Sequence, residues 1–300
     1  MKLISILVGL PLLVAGVTNG YAYPQACSGV CTNAHDPSII RRDDGTYFRF
    51  STGNKIAIHS APDLTGPWKY LGAAVPDGSK INLKGRDDLW APEVNKIGDT
   101  YYLYYSVSSF GTQSSAIGLT QSKTMEAGSW VDAGSIGVTS DATKKYNAID
   151  TNLIQVGSQY YLNFGSYWQG LHQTKMTSPP TKSSGGSASQ IAFTSNGSCC
   201  QFDKKRPAKG KEYRILVCRS KSPTGGFVDK DNVDCRNNGS SIVLESHDWV
   251  YGPGGQGVYN DPTHGPVMYY HYVDTRIGFA DGDKRFGWNK LDFSSGWPTV

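Results

Sequence analysis

Three stretches of the chain follow one plan. "HDPSIIRRDDGTYFRFSTG" from His35, "WAPEVNKIGDTYYLYYSVS" from Trp90 and "NAIDTNLIQVGSQYYLNFGS" from Asn147 each run from an acid through a short apolar segment and a Gly-containing turn to an aromatic strand. Asp36 to Glu93 and Glu93 to Asp150 are both steps of 57 residues, which gives the three acids equivalent places. A repeat of this size with several strands per unit predicts a β-propeller. One small twisted sheet cannot bury both faces, whereas sheets stacked around an axis bury one another. Each acid precedes its apolar run, so it opens an inner strand, and the same end of every inner strand faces the same mouth. The repeat therefore predicts carboxylates gathered at one end of the axis.

A further unit starts at Tyr251, "YGPGGQGVYNDPTHGPVMYYHYV", with Gly and Gln at the acid position. From Asp150 to Gly257 is 107 residues, nearly two periods, so one unit lies between and the fold is an all-β, five-bladed propeller. That intervening unit is incomplete. Between Thr174 and Lys211 no acid, apolar run, Gly turn and tyrosine strand follow in order, and the one convincing strand is "EYRILVCRS" from Glu212. The first half of the fourth blade is absent.

The ends and the composition bound the setting. Lys2 followed by an apolar run and small residues near Gly20 to Ala22 reads as a secretory signal over residues 1–20, with cleavage near 18–22. Residues 27–300 then form a single propeller domain. Six cysteines without a CxxC pair suit disulfides in an oxidising compartment better than zinc. Their pairing is open, although Cys199 and Cys200, being adjacent, are expected to reach separate partners. Asn196 and Asn238 open glycosylation sequons. The formal charge of +4 is scattered apart from "KKRPAKGK" at 204–211, which reads as a solvated loop, so no nucleic-acid partner is expected. No later segment is long and apolar enough to span a membrane. The polar stretch from Met176 to Gln190 fits either a linker or a long surface loop.

Two carboxylates across an axial cleft are the equipment for hydrolysing a glycosidic bond. One acts as base on water and one protonates the leaving oxygen, and a gap of roughly 6.5–9.5 Å gives inversion. A strand-capping role is the plainer reading of any single acid. Three at equivalent places, with Trp90, Tyr167 and Trp168 nearby as stacking faces, favour carbohydrate chemistry.

The motifs "HDPSII", "WAPEV", "NAIDTNLI", "FGSYWQGL" and "YGPGGQGV", with the ending "GFADGDKRFGWNKLDFSSGWP", resemble the arabinanases of glycoside hydrolase family 43, in particular secreted fungal endo-1,5-α-L-arabinanases, from about Cys27 onward. The resemblance implies a five-bladed propeller that cleaves α-1,5-linked arabinan, a pectin side chain, with inversion. It implies Asp36 as general base and Asp150 as the group that tunes and orients the acid. Trp90, Asn147 and Ser166 would line the sugar subsites, and Glu93, outside the catalytic pair, would be structural or would support the site residues from behind. It also implies a secreted monomer with no required cofactor. His271 is either a neighbour of an axial calcium or other ion, or a hydrogen-bonded core histidine. The chain departs from the pattern at the general acid, a glutamate expected between about Gln190 and Cys199. The four glutamates are Glu93, Glu126, Glu212 and Glu245, and neither Glu212 nor Glu245 is a good substitute. The shortened repeat suggests a loss of about 20–25 residues. Two rival readings follow: an exo-acting arabinofuranosidase or β-xylosidase of the same family, and a propeller that binds arabinan without cleaving it.

Overall fold

The structure is a computed structural model that describes residues 20–166, 168–195 and 210–300. It is an all-β propeller. The first sheet is an antiparallel meander of β1 (Ser38–Arg41), β2 (Tyr47–Ser51), β3 (Ala57–Ala61) and β4 (Lys69–Ala73). The second repeats it with β5 (Leu89–Ile97), β6 (Thr100–Val107), β7 (Ser115–Ser122) and β8 (Val131–Ser140). The third does so with β9 (Asn152–Val156), β10 (Gln159–Ser166), β11 (Gly170–Lys175) and β12 (Ser189–Ala192). A fourth sheet has two strands, β13 (Ile215–Val217) and β14 (Ser241–Leu244). A fifth has three, β15 (Val250–Asp261), β16 (Gly265–Asp274) and β17 (Arg285–Lys290). Because β11 and β12 are neighbours in one sheet, residues 176–188 are a connection within a sheet and not a linker, and Ser189 and Gln190 belong to β12.

The first strands of neighbouring sheets pack on one another: β1 against β15 and β5, and β5 against β9. They line the axis, as expected for units that hide their faces in each other. Four apolar clusters fill the gaps between sheets. Ile40, Phe50, Leu103 and Tyr105 join the first sheet to the second, and Tyr104, Leu119, Leu162 and Phe164 join the second to the third. Ile39, Tyr47, Val267 and Phe286 join the fifth to the first, and Ile215, Leu244, Met268 and Tyr270 join the fourth to the fifth. Among the described residues, the third and fourth sheets meet through polar contacts instead. Phe193 N donates to Cys235 O (2.7 Å) and Gln173 Nε2 to Pro223 O (2.8 Å). That junction falls in the stretch where the repeat predicts a shortened fourth unit.

The segment ahead of β1 closes the ring. Gln25 N donates to Trp288 O and Phe286 N to Cys31 O, both at 2.9 Å, which lays the start of the described chain along the edge of β17. Edge pairing of this kind leaves fewer open backbone groups. Cys27 pairs with Cys31 and Cys218 with Cys235. These four cysteines are thus engaged with one another. Cys199 and Cys200 themselves lie outside the described residues, as do the signal segment up to residue 19, Asn196, Tyr167 and most of the basic run at 204–211. Asn238 is exposed in a left-handed turn, and its Oδ1 accepts from Ser195 N (2.7 Å).

Candidate active site

Three residues that open inner strands share a left-handed backbone: Asp36 (φ 42°), Ala91 (φ 44°) and Asp150 (φ 57°). A non-glycine residue adopts this conformation at a cost, least for Asp and Asn, and it persists where surrounding bonds enforce it. Here the second strand of the preceding sheet supplies the bond. Asp36 N donates to His271 Nδ1 of β16 (3.0 Å), Ala91 N to Thr52 Oγ1 just after β2 (2.8 Å), and Asp150 N to Ser106 Oγ of β6 (3.1 Å). Each sheet thus fixes the first axial residue of the next.

This corrects the place of Glu93. Its equal spacing put it level with Asp36 and Asp150, but the residue level with them is Ala91. Glu93 pairs across to Tyr104, as Ser38 does to Phe50 and Asn152 to Asn163, so it stands two residues farther into the strand. Its Oε1 accepts from Asn152 Nδ2 (3.1 Å) and Asn95 Nδ2 (3.3 Å), and burial raises its carboxyl to about 7. It ties β5 to β9, in keeping with a structural role, and the mouth holds two repeat carboxylates and not three.

Asp36, Trp90, Asn147, Asp150, Ser166 and His271 all line one cavity of about 380 Å³ at the axis. Residues that sequence reasoning had not singled out join them, notably His35, Thr52, Phe110, Tyr213 and Asp281. A sequence signal existed for Thr52, since "FST" and "YYS" end the second strands of two successive units in a hydroxyl. Of the four glutamates, all within the described residues, none lines the cavity. Glu126 pairs with Arg42 (2.6 Å), Glu212 is buried with Oε2 accepting from Gly210 N, and Glu245 accepts from Tyr21 (3.4 Å).

The two aspartates sit in opposite electrostatic settings. Burial works to raise Asp36, but His271 and the Thr52 hydroxyl, which donates to Oδ2 at 2.7 Å, outweigh it and bring the carboxyl to about 2. Asp150 is raised to about 8, first by burial among protein atoms and then by the charge of Asp36, while its carboxyl faces the open cavity. One carboxyl is thereby held ionised and its neighbour held protonated, which is how a site divides base and acid work between like groups. Asn147 is buried and its Oδ1 accepts from Ser115 (2.7 Å) and Ser140 (3.3 Å), leaving the amide NH₂ as a donor for a sugar oxygen. Gly255 packs against Asp36 and His271. A Cβ there would stand 2.5 Å from Asp36 Oδ1 and 2.7 Å from His271 Nδ1, so this wall tolerates no side chain.

Thr52 makes the depressed setting of Asp36 testable. Its hydroxyl accepts from Ala91 N and donates to Asp36, and Thr52→Val removes both bonds. A base works ionised, so a low pKa keeps it active into acid. Losing a hydrogen bond to the charged form raises that pKa, and the acid limb of the pH–rate profile is expected to move up by about one unit. An unmoved limb would show that Thr52 does not hold the carboxylate.

His271 Nδ1 lies 3.0 Å from the Asp36 amide N and 3.4 Å from Asp36 Oδ1. As an acceptor from the amide the ring carries its hydrogen on Nε2, whereas as a donor to the carboxylate it leaves the Nε2 lone pair open to an ion. Among the described residues no group of three His, Cys, Asp or Glu is arranged to hold a metal. The ring, buried beside His35 and 3.4 Å from Asp36 Oδ1, orients the aspartate.

Comparison with known proteins agrees with this geometry. The profile described as "Glycosyl hydrolases family 43" matches residues 30–201. The arabinan endo-1,5-alpha-L-arabinosidase A of Aspergillus aculeatus is 54% identical, over 96% of this chain and 97% of its own length. An Aspergillus niger relative is 53% identical over an alignment of 322 positions that takes in all of this chain and 99% of the relative; the alignment is about 22 positions longer than the chain's 300 residues. Among solved structures, the endo-arabinanase of Bacillus licheniformis superposes with a TM-score of 0.79 at 28% identity, covering 92% of this chain and 99% of that one. The Cellvibrio cellulosa arabinanase complexed with arabinohexaose gives 0.77 at 26%, covering 91% and 96%. With a matching profile over more than half its length and relatives of this identity along nearly all of it, the chain belongs to glycosyl hydrolase family 43.

Proposed function

We propose that this chain is an endo-acting arabinanase that hydrolyses α-1,5-linked arabinan with inversion, Asp36 serving as general base on water. The observation that carries the reading is the axial cavity, where an ionised Asp36 and a protonated Asp150 face the same space under Trp90, Phe110 and Trp168. The relatives' names supply the substrate. The fold is read as a five-bladed propeller whose fourth blade is reduced to β13 and β14. The turn-linked strand pair Asn152–Ser166 of the third sheet spans 15 residues, so the additional positions in the Aspergillus niger alignment suffice for one inner hairpin with its approaches. The leader-like start and the two disulfides support work outside the cell, and the chain is taken to act as a monomer without a required cofactor.

Incubation of the purified protein with linear 1,5-arabinan, with products resolved by size, tests the reading. Mixed short oligosaccharides, absent with Asp36→Asn, are expected. Single sugars from the first minutes would point to the exo reading. Binding of arabinan without any product would support the binding propeller, which the lack of a cavity glutamate favours.

A further inference from the structure

We propose that Asp150 is the proton donor of this chain, delivering the proton to the leaving sugar from the αL position at the start of β9. The proposal rests on the hydrolase reading above and assigns the acid half of that reaction. No glutamate reaches the cavity, and among the described residues its carboxyls are those of Asp36, Asp88, Asp150 and Asp281. Asp36 is tied to Thr52 and lies against His271. Asp281 is engaged with His35 (3.5 Å) and Lys284 (3.7 Å). Asp88 lies in the turn ahead of β5, outside the set of residues that open inner strands. Asp36 and Asp150 share an axial position, a backbone fixed by another sheet and a place in the cavity wall, but among the described residues only Asp150 has no hydrogen bond to its carboxyl that competes with a substrate oxygen. It also meets the electrostatic demand on a donor, since burial and Asp36 hold its proton on at neutral pH.

The step balances with water as co-reactant. Asp36 takes a proton from water as the water oxygen bonds to the anomeric carbon. The bond from that carbon to the leaving O5 breaks, its electron pair stays on O5, and O5 takes the proton of Asp150. Asp36 ends protonated and Asp150 ionised, and solvent restores both. His35, Asp88, Tyr213, His271 and Asp281 line the same cavity as the pair.

Leaving-group dependence separates donation from positioning. A sugar alkoxide needs the proton, and a dinitrophenolate does not. Asp150→Asn keeps a residue that tolerates the left-handed backbone, and unchanged circular dichroism and melting would confirm its fold. On linear arabinan it is expected to lose on the order of 10²–10⁴ in rate. On the 2,4-dinitrophenyl glycoside of α-1,5-arabinotriose the loss should stay below about tenfold. The wild type should show a basic limb near pH 8 on arabinan that is absent on the activated glycoside, and Asp150→Glu, which retains a carboxyl, should keep that limb. Equal losses on both substrates would overturn the proposal and leave Asp150 a positioning group. A wild type active on the dinitrophenyl glycoside alone would also overturn it, showing that no donor exists while the base survives. Inactivity on both would remove the hydrolase reading and the proposal together.

Discussion

Asp36→Asn is expected to lower kcat/KM by on the order of 10²–10⁴, on linear arabinan and on an activated aryl glycoside alike. Attack by water accompanies departure in both cases, so a better leaving group does not relieve the loss of the base. The amide is nearly isosteric, still accepts from Thr52 and still donates its backbone N–H to His271, so the fold is expected to stand. What is lost is the one carboxylate of the repeat held near pKa 2 and therefore ionised at every working pH. Steady-state kinetics with both substrates checks this. A loss under tenfold on each would move the base elsewhere in the cavity.

The second large effect concerns closure of the ring. Phe286 of β17 is fully buried, meets the Trp68 ring edge-on at 5.7 Å and covers one side of the buried Arg49 guanidinium, which Trp68 also contacts; each ring lies 4.9 Å from that group. Arg49 Nη2 donates to Val30 O (2.8 Å), so the same cluster anchors the segment that closes the propeller. Phe286→Ala should cost about 3–5 kcal/mol and lower the urea midpoint with little change in slope. Phe293→Ala, half exposed at the surface, should stay within about 0.5 kcal/mol. Equal midpoints for the two variants would mean that closure does not depend on this cluster.

The comparison of repeat and structure is clearest at particular residues. Asp36 and Asp150 were legible because both open an inner strand, and the period fixed their common level. Glu93 misled for a local reason. Its distance from each is right, but the β5–β6 ladder shifts register between Trp90 and Glu93, and the left-handed position falls on Ala91. Aligning Asp36-Pro37 with Ala91-Pro92 carries the signal that counting residues missed. The sequence also reads as lacking part of its fourth unit, and the described residues there form a two-stranded sheet with a polar junction to the third.

The sequence by itself determined the ring, because periodic apolar strands and Gly turns admit few ways of burying their faces. It also determined which aspartates stand at the mouth and that no glutamate occupies the donor's stretch of chain. Only the tertiary structure decided the charge state of each carboxyl. That state depends on groups far away in sequence: His271 approaches Asp36 from 235 residues along the chain, and Ser106 fixes Asp150 from the neighbouring sheet. A pKa is set by the few ångströms around a group, and no linear spacing encodes which side chains the closed ring brings there.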